Sequence, residues 1–278
     1  MKYLIGIVLY NPEIKNLYFN LQNWENNKIV LIDNSSKNIQ EIEEAITKKD
    51  NVILIKNSIN MGIAQALNQI MEYAVENSFQ WVLTLDQDSK FHKEGIQIYL
   101  KNISKEIAII TCRVQNINTT ISEEYIVEKE YVDDCITSGS FHNVEIWQKL
   151  KGFDEWLFID YVDFEYCIRV KKQNYKILKC NSVLMQHSLG KLEIKSILGK
   201  KIYITNHSPL RCYYLLRNLI YTYRKHKEIS NHQNIYIRII KQYIKILVFE
   251  KDKMKKCKAM NKGIFDGMRK EIYKCHVQ

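Results

Sequence analysis

Two aspartates one residue apart, Asp86 and Asp88, close the apolar run WVLTLDQDS. Like charges that close repel each other unless a cation lies between them or one takes up a proton. A hard divalent cation with oxygen ligands relieves the repulsion, and carboxylates acting together with a bound diphosphate suit magnesium or manganese. The bare D-x-D spacing fits equally well the start of a loop that caps the next helix. His187 follows another apolar run, and a neutral imidazole suits manganese or a similar borderline ion; alone, a histidine after a strand is more often a hydrogen-bonded loop residue, and a metal role requires the fold to bring it to the rim. Asp160, Asp163 and Glu165 form an acidic group among Phe153, Trp156, Phe158, Tyr161 and Phe164. Partial burial among rings raises a carboxylate's pKa and suits it to work as a general base. The competing reading is a helix start, where the exposed N–H groups favour acids, paired with Arg169 or Lys171.

These residues need a frame to bring them together. Tyr3–Tyr10, KIVLID, NVILI and WVLTLD are continuous apolar runs of strand length, separated by stretches with helical spacing over Leu17–Trp24, Ile39–Ile46 and Ala64–Val75. Such alternation predicts an α/β fold with a mostly parallel sheet buried on both faces. Ligands bind at the carboxyl ends of such strands. Asn11, Asp33, Asn60, Asp86, Gln87 and Asp88 all fall at or just past those ends. Further along, IAIITCRV predicts a strand, Val144–Lys149 and Val162–Lys172 predict helices, and NYKILKCNSVLMQH predicts a strand pair or edge strand leading to His187. From Pro209 onward the spacing is helical. In YIRIIKQYIKILVF, Ile239, Ile240, Tyr243, Leu247 and Val248 form an apolar stripe with Arg238, Lys241 and Lys245 off it, a basic amphipathic helix.

The chain has 278 residues and a net charge of +10. Lys191–Gln278 carries 21 Lys/Arg against 6 Asp/Glu, a net of +15, and Met1–Gly190 carries a net of −5. This division predicts a catalytic domain over 1–208 and a basic helical region over 209–278. A basic tail suits an anionic membrane or a phosphorylated substrate, while the chain carries no nucleic-acid recognition motif. A solvated, lysine-rich helical face is the plainer alternative. The seven cysteines form no C-x-x-C pair, which predicts reduced thiols in the cytosol rather than zinc or a disulfide framework. MKYLIGIVLYNPE ends at Asn11-Pro12 with no small-residue cleavage site, so it reads as a first strand and not a signal peptide.

The order of segments LYNPE, LIDNSS, NMGIAQALNQIMEYA, WVLTLDQDS, SGSF, GFDEWLFIDYVDFEYCIRV, QHSLG and RCYYLLRNLIYTYRK resembles family 2 glycosyltransferases of GT-A fold, and more narrowly bacterial rhamnosyltransferases of that family. The resemblance runs from about Ile5 to Lys225, is thin over 116–132 and is absent after about 227. It implies an inverting transfer of a sugar, L-rhamnose from dTDP-rhamnose first, from a nucleoside diphosphate donor to a glycan acceptor carried on a lipid. A UDP-hexose or N-acetylhexosamine donor, and a non-catalytic nucleotide-sugar-binding relative, are the alternatives. By position, Asp33 would bond the pyrimidine, Asn60 and Gly62 would lie against the nucleotide, and Asp86 would meet the ribose or base. Asn11 and Gln87 would complete the donor site. Asp88 and His187 would hold Mn2+ or Mg2+, and Ser138–Ser140 would lie near the donor sugar or acceptor. Asp163 matches the catalytic base; the two adjacent acids usual there are replaced by Val162-Asp163, so Asp160 is the second candidate. Together these features imply a cytoplasmic protein, peripheral on the inner face of the plasma membrane. A phosphatase of the haloacid dehalogenase type is the main catalytic rival, but its D-x-D belongs on the first strand of the sheet.

Overall fold

The computed structural model describes residues 1–116, 127–187, 193–197, 200–227 and 235–270; for Asn116, His187, 193–197 and 200–203 it describes the backbone alone. The chain divides into two units, one of residues 1–158 and 162–188, the other of 159–161 and 189–278.

The first unit alternates strand and helix: β1 (Tyr3–Leu9), α1 (Ile14–Asn23), β2 (Ile29–Asp33), α2 (Ile39–Ile46), β3 (Val52–Lys56), α3 (Ile63–Glu76) and β4 (Trp81–Asp86). Then follow β5 (Lys90–Phe91), α4 (Gly95–Lys101), β6 (Ile107–Asn116), β7 (Lys129–Tyr131), β8 (Ser140–Asn143), α5 (Val144–Lys149), a 3-10 turn (Glu155–Leu157), α6 (Val162–Lys172) and β9 (Lys176–His187). The strands form one sheet in the order β3-β2-β1-β4-β8-β6-β9-β5, with β7 also paired to β9. The pairs among β1 to β4 are parallel, as is β6 with β9, while β8 runs antiparallel to both β4 and β6. Every residue of β2 is buried, which is why the apolar runs do not alternate: helices cover both faces. Ile5, Leu31, Leu83, Phe141 and Met185 are part of the core so formed.

β9 is one strand between β6 and β5, and neither a pair nor an edge. Its partner β6 pairs Cys112 with Cys180 and the next residue, Arg113, with Leu184. Asn181, Ser182 and Val183 therefore bulge out, and the Asn181 amide donates to the Val127 carbonyl and to Glu130. The polar pair that suggests a turn in the sequence is a bulge within a continuous strand.

The second unit contains the antiparallel pair β10 (Glu193–Ile197) and β11 (Lys200–Ile204), then α7 (Pro209–Lys225), α8 (Ile235–Phe249) and α9 (Lys253–Arg269). Its core includes Cys212, Leu216, Leu219, Ile220, Ile246 and Met260. Gly263 and Gly267 let α9 approach α7, since a Cβ at either would run into the carbonyls of Tyr213 or Arg217. Position 208/209 lies inside this unit and marks a helix start: Ser208 accepts from the Arg211 N–H and Pro209 takes the first helical position.

Candidate active site

Three strand ends build the rim. Asp33 ends β2 beside Leu9 of β1, and Asp86 ends β4 beside Val8 on the other side of β1. Two strand spacings set the backbones of the two acids about 10 Å apart. Asp33 is buried: its Oδ2 accepts from the Ser36 N–H at 3.0 Å, and its Oδ1 has no partner among the described residues. A buried carboxylate oxygen so placed is made to accept a hydrogen bond from outside the protein. Asn11, with φ 48, fixes the neighbouring loop: its N–H donates to Ser36 Oγ and its Oδ1 accepts from the Lys37 N–H.

Behind this rim lies a group of amides that the sequence reading did not single out. Asn34 is buried, donates to the Gly62 carbonyl and accepts from Asn57, whose own amide pairs reciprocally with Gln69 of α3. The signal was present in the asparagines that follow β2 and β3, since a buried amide at a strand end has to be satisfied by its neighbours. Asn60 turns inward and accepts from the Gly62 N–H at 2.9 Å. Gly62 has φ 86, and a Cβ there would lie 2.6 Å from the Phe158 carbonyl oxygen. That oxygen accepts from the Ile63 N–H at 2.5 Å. The close approach that requires glycine is therefore that of the Phe158 backbone. Asn68, also on α3, donates to the Phe153 carbonyl and to Glu155 and accepts from the Phe153 N–H. Thus α3 holds the segment 153–158 along its length.

The Asp86–Ser89 segment is a turn closed by the Ser89 N–H on the Asp86 carbonyl. Gln87 points back to β1: its Oε1 accepts from the Tyr10 N–H at 2.8 Å and its Nε2 donates to the Tyr10 carbonyl at 3.3 Å. Ser138 is buried beneath; its hydroxyl accepts from the Asp86 N–H and donates to Ser89 Oγ. Ser140 is buried as well, with its hydroxyl on Thr111 and the Ile136 carbonyl. The Ser138 hydroxyl thus braces the turn from inside, while that of Ser140 ties β8 to β6 and to the segment before it. Lys90 of β5 pairs with Gln186 of β9, so the His187 backbone ends its strand one step beyond, at the edge that carries the Asp86–Asp88 turn. The His187 side chain lies outside the described residues.

The acids of the aromatic segment part company. Glu165 is fully buried and gripped by Arg169 through both oxygens, while Arg169 also donates to the Leu150 carbonyl. Asp163 stands half-buried in the first turn of α6, its Oδ1 accepting from the Phe164 N–H. Asp160 belongs to the second unit: its carboxylate accepts from Arg211 Nε and Nη2 at 3.3 and 3.0 Å, and its carbonyl accepts from Asn218. Phe158, Asp160 and Tyr161 all have positive φ, an unfavourable backbone for side chains of this kind that surrounding bonds must hold. His142 of β8 is buried with no partner for either ring nitrogen among the described residues, and burial alone lowers its pKa to about 3. Its ring meets Phe153 and Tyr166 edge-on, so it is a core histidine kept neutral.

Residues 11–168 match the family model Glycosyl transferase family 2. The chain belongs to this family, and it is a glycosyltransferase. It is 29% identical to a dTDP-rhamnosyl transferase RfbF of Shigella flexneri over 95% of this chain and 94% of that one. It is 24% identical to a low-salt glycan biosynthesis hexosyltransferase Agl10 of Haloferax volcanii over 66% of each chain. Among solved structures, GalNAc-T7 with UDP, GalNAc and Mn2+ shares the fold at a TM-score of 0.60 and 13% identity, over 81% of this chain and 48% of that one. TarS of S. aureus, residues 1–349, does so at a TM-score of 0.53 and 14% identity, over 96% of this chain and 71% of that one. The fold is GT-A, as the segment order implies. Membership in the family also removes the phosphatase reading, in agreement with the position of Asp86 and Asp88 on β4 and not on β1.

Proposed function

We propose that this transferase moves L-rhamnose from dTDP-rhamnose to a lipid-linked glycan acceptor, with inversion at the anomeric carbon and in the presence of Mn2+ or Mg2+. The observation that carries this reading is the rim itself: Asp33, with one buried oxygen unpartnered among the described residues, and Asp86–Asp88 flank the end of β1 in a family 2 chain. The rhamnose assignment draws support from the Shigella relative, which matches this chain nearly end to end.

In this reading Asp33 accepts from the pyrimidine N–H. Asn11, Asn60 and Gly62 shape the nucleotide pocket through the loops they fix, and Asp86 meets the ribose. The part of Gln87 is to hold the turn, since both ends of its amide are spent on Tyr10. Asp88 and His187 would hold the divalent ion. Two protein donors suit such a site, because diphosphate oxygens and water fill the other positions of a magnesium or manganese ion. When bound, the ion would offset the negative charge that grows on the leaving diphosphate. Asp163 takes the proton of the acceptor hydroxyl as that oxygen bonds to the anomeric carbon, and the bond to the nucleoside diphosphate breaks on the opposite face. Asp163 is preferred over Asp160 because it stands where the resemblance places the family's base. Configuration inverts because one displacement occurs.

The test is donor turnover across dTDP-, UDP- and GDP-sugars with manganese, followed by the anomeric configuration of the product. Turnover restricted to dTDP-rhamnose is the expected result. Turnover of a UDP-hexose or UDP-N-acetylhexosamine in its place would remove the sugar assignment and leave the reaction type standing.

A further inference from the structure

The apolar residues of α8 serve two faces. Ile235 and Ile246 are buried in the second unit's core, and Ile239 and Tyr243 pack against it. Lys245 turns inward too, with its Nζ 3.1 Å from Thr205 Oγ1 and 3.7 Å from Glu250. On the other side Tyr236, Ile237, Ile240, Ile244, Leu247 and Val248 are all exposed. At 100° per residue these six fall within an arc of about 120°, and Lys241 borders it. The expected single stripe is thus two: Ile239 and Tyr243 belong to the core row, Ile240, Leu247 and Val248 to the outward row. A solvated face would carry polar residues here, and this one carries none.

We propose that this outward face of α8 docks the enzyme on an anionic lipid surface, lying in the headgroup plane with the six side chains turned to the acyl boundary. Charge selects this occupant. From Ile235 to Lys270 the chain has 11 Lys/Arg and 3 Asp/Glu, a net of +8. Juxtamembrane cations are attracted to anionic headgroups, and the exposed apolar arc adds burial to that attraction. Lys241, at the border of the arc, can lay its stem along the apolar boundary with the ammonium among phosphates. A second copy of the chain is disfavoured, since a two-fold contact through α8 would set two segments of +8 against each other. Insertion across the bilayer is also disfavoured: α8 has 15 residues and no described helix is long and apolar enough to cross a membrane. This surface is independent of the sugar proposed above.

The experiment uses the full chain with vesicles of phosphatidylcholine alone or mixed with phosphatidylglycerol. A triple variant, Ile240→Glu, Ile244→Glu and Leu247→Glu, alters only exposed positions; a second, Arg238→Glu with Lys241→Glu, reverses charge beside the arc. Far-UV circular dichroism and donor hydrolysis with water as acceptor verify folding. Expected are cosedimentation with phosphatidylglycerol vesicles, at least tenfold weaker binding to phosphatidylcholine, and at least tenfold weaker binding of both variants with unchanged hydrolysis. Failure of the parent to bind anionic vesicles, or equal binding by the triple variant, would overturn the proposal. So would a parent dimer that the triple variant abolishes with no change in vesicle binding, which would give the face to a second copy. Loss of all donor hydrolysis in the parent would strike the reaction assignment and leave the vesicle result readable.

Discussion

At the scale of single residues, Asp163 and Asp160 make different predictions because they are held differently. Asp163→Asn is expected to lower kcat by two to four powers of ten, roughly the worth of a general base, with the donor dissociation constant changed less than about threefold. Asp160→Asn is expected to lower kcat less than about tenfold, since the loss is one guanidinium contact. Steady-state kinetics with parallel donor titrations separate the two. Asp33→Ala removes the buried acceptor and is expected to raise the donor KM by about 10- to 100-fold, the worth of a hydrogen bond to a charged group. These carboxylates were legible in the sequence because they interrupt apolar runs. Gln87 was legible as a rim residue but its direction was not: nothing in DQD shows that the middle side chain turns back to the Tyr10 peptide. Ser138 and Ser140 were legible as a motif, and only burial and hydrogen bonding reveal that Ser138 braces the turn from within while Ser140 bonds to Thr111 and Ile136.

At the scale of elements, the alternating apolar runs were readable because a doubly covered parallel sheet leaves no polar face. The bulge in β9 was not, since Asn181-Ser182 has the composition of a turn and only pairing reveals that the strand continues. The junction of α3 with the segment 153–158 was also hidden, because Gly62 meets a backbone nearly a hundred residues later. Gly62→Ala is expected to cost about 2–4 kcal/mol through its positive φ and the contact with Phe158, measured by urea unfolding. Arg169→Met would remove the guanidinium that pairs with the buried Glu165 and is expected to cost about 3–5 kcal/mol in the same assay. His142 gives β8 a pH signature. Its folded pKa lies at about 3, below the unfolded value of 6.5, so the unfolded chain binds the extra proton between the two. Stability from this group is complete above pH 6.5 and falls as the pH drops toward 3, by about 2 kcal/mol at pH 5. His142→Leu is expected to reduce the stability difference between pH 7 and pH 5 by about that amount, a change in slope that unfolding curves at both values would reveal.

At the scale of the whole molecule, removal of divalent ions with EDTA is expected to abolish nucleoside diphosphate release, with recovery on adding Mn2+ or Mg2+. Release unaffected by chelation would count against a metal at Asp88 and His187. The division of charge, −5 over Met1–Gly190 and +15 beyond, was plain from the sequence, but the division of the chain was not. A composition shift marks where basic residues begin, and it carries no sign that three residues upstream belong with them. Ile159–Tyr161 packs with the second unit, where Asn218 donates to the carbonyls of Ile159 and Asp160. The polypeptide passes between the units three times: at 158/159, 161/162 and 188/189. A stop codon just after Ser188 would therefore do more than delete an appendage. It would leave the tripeptide ahead of α6 without its anchors, so the shortened gene product is expected to lose catalysis even where its β-sheet still assembles.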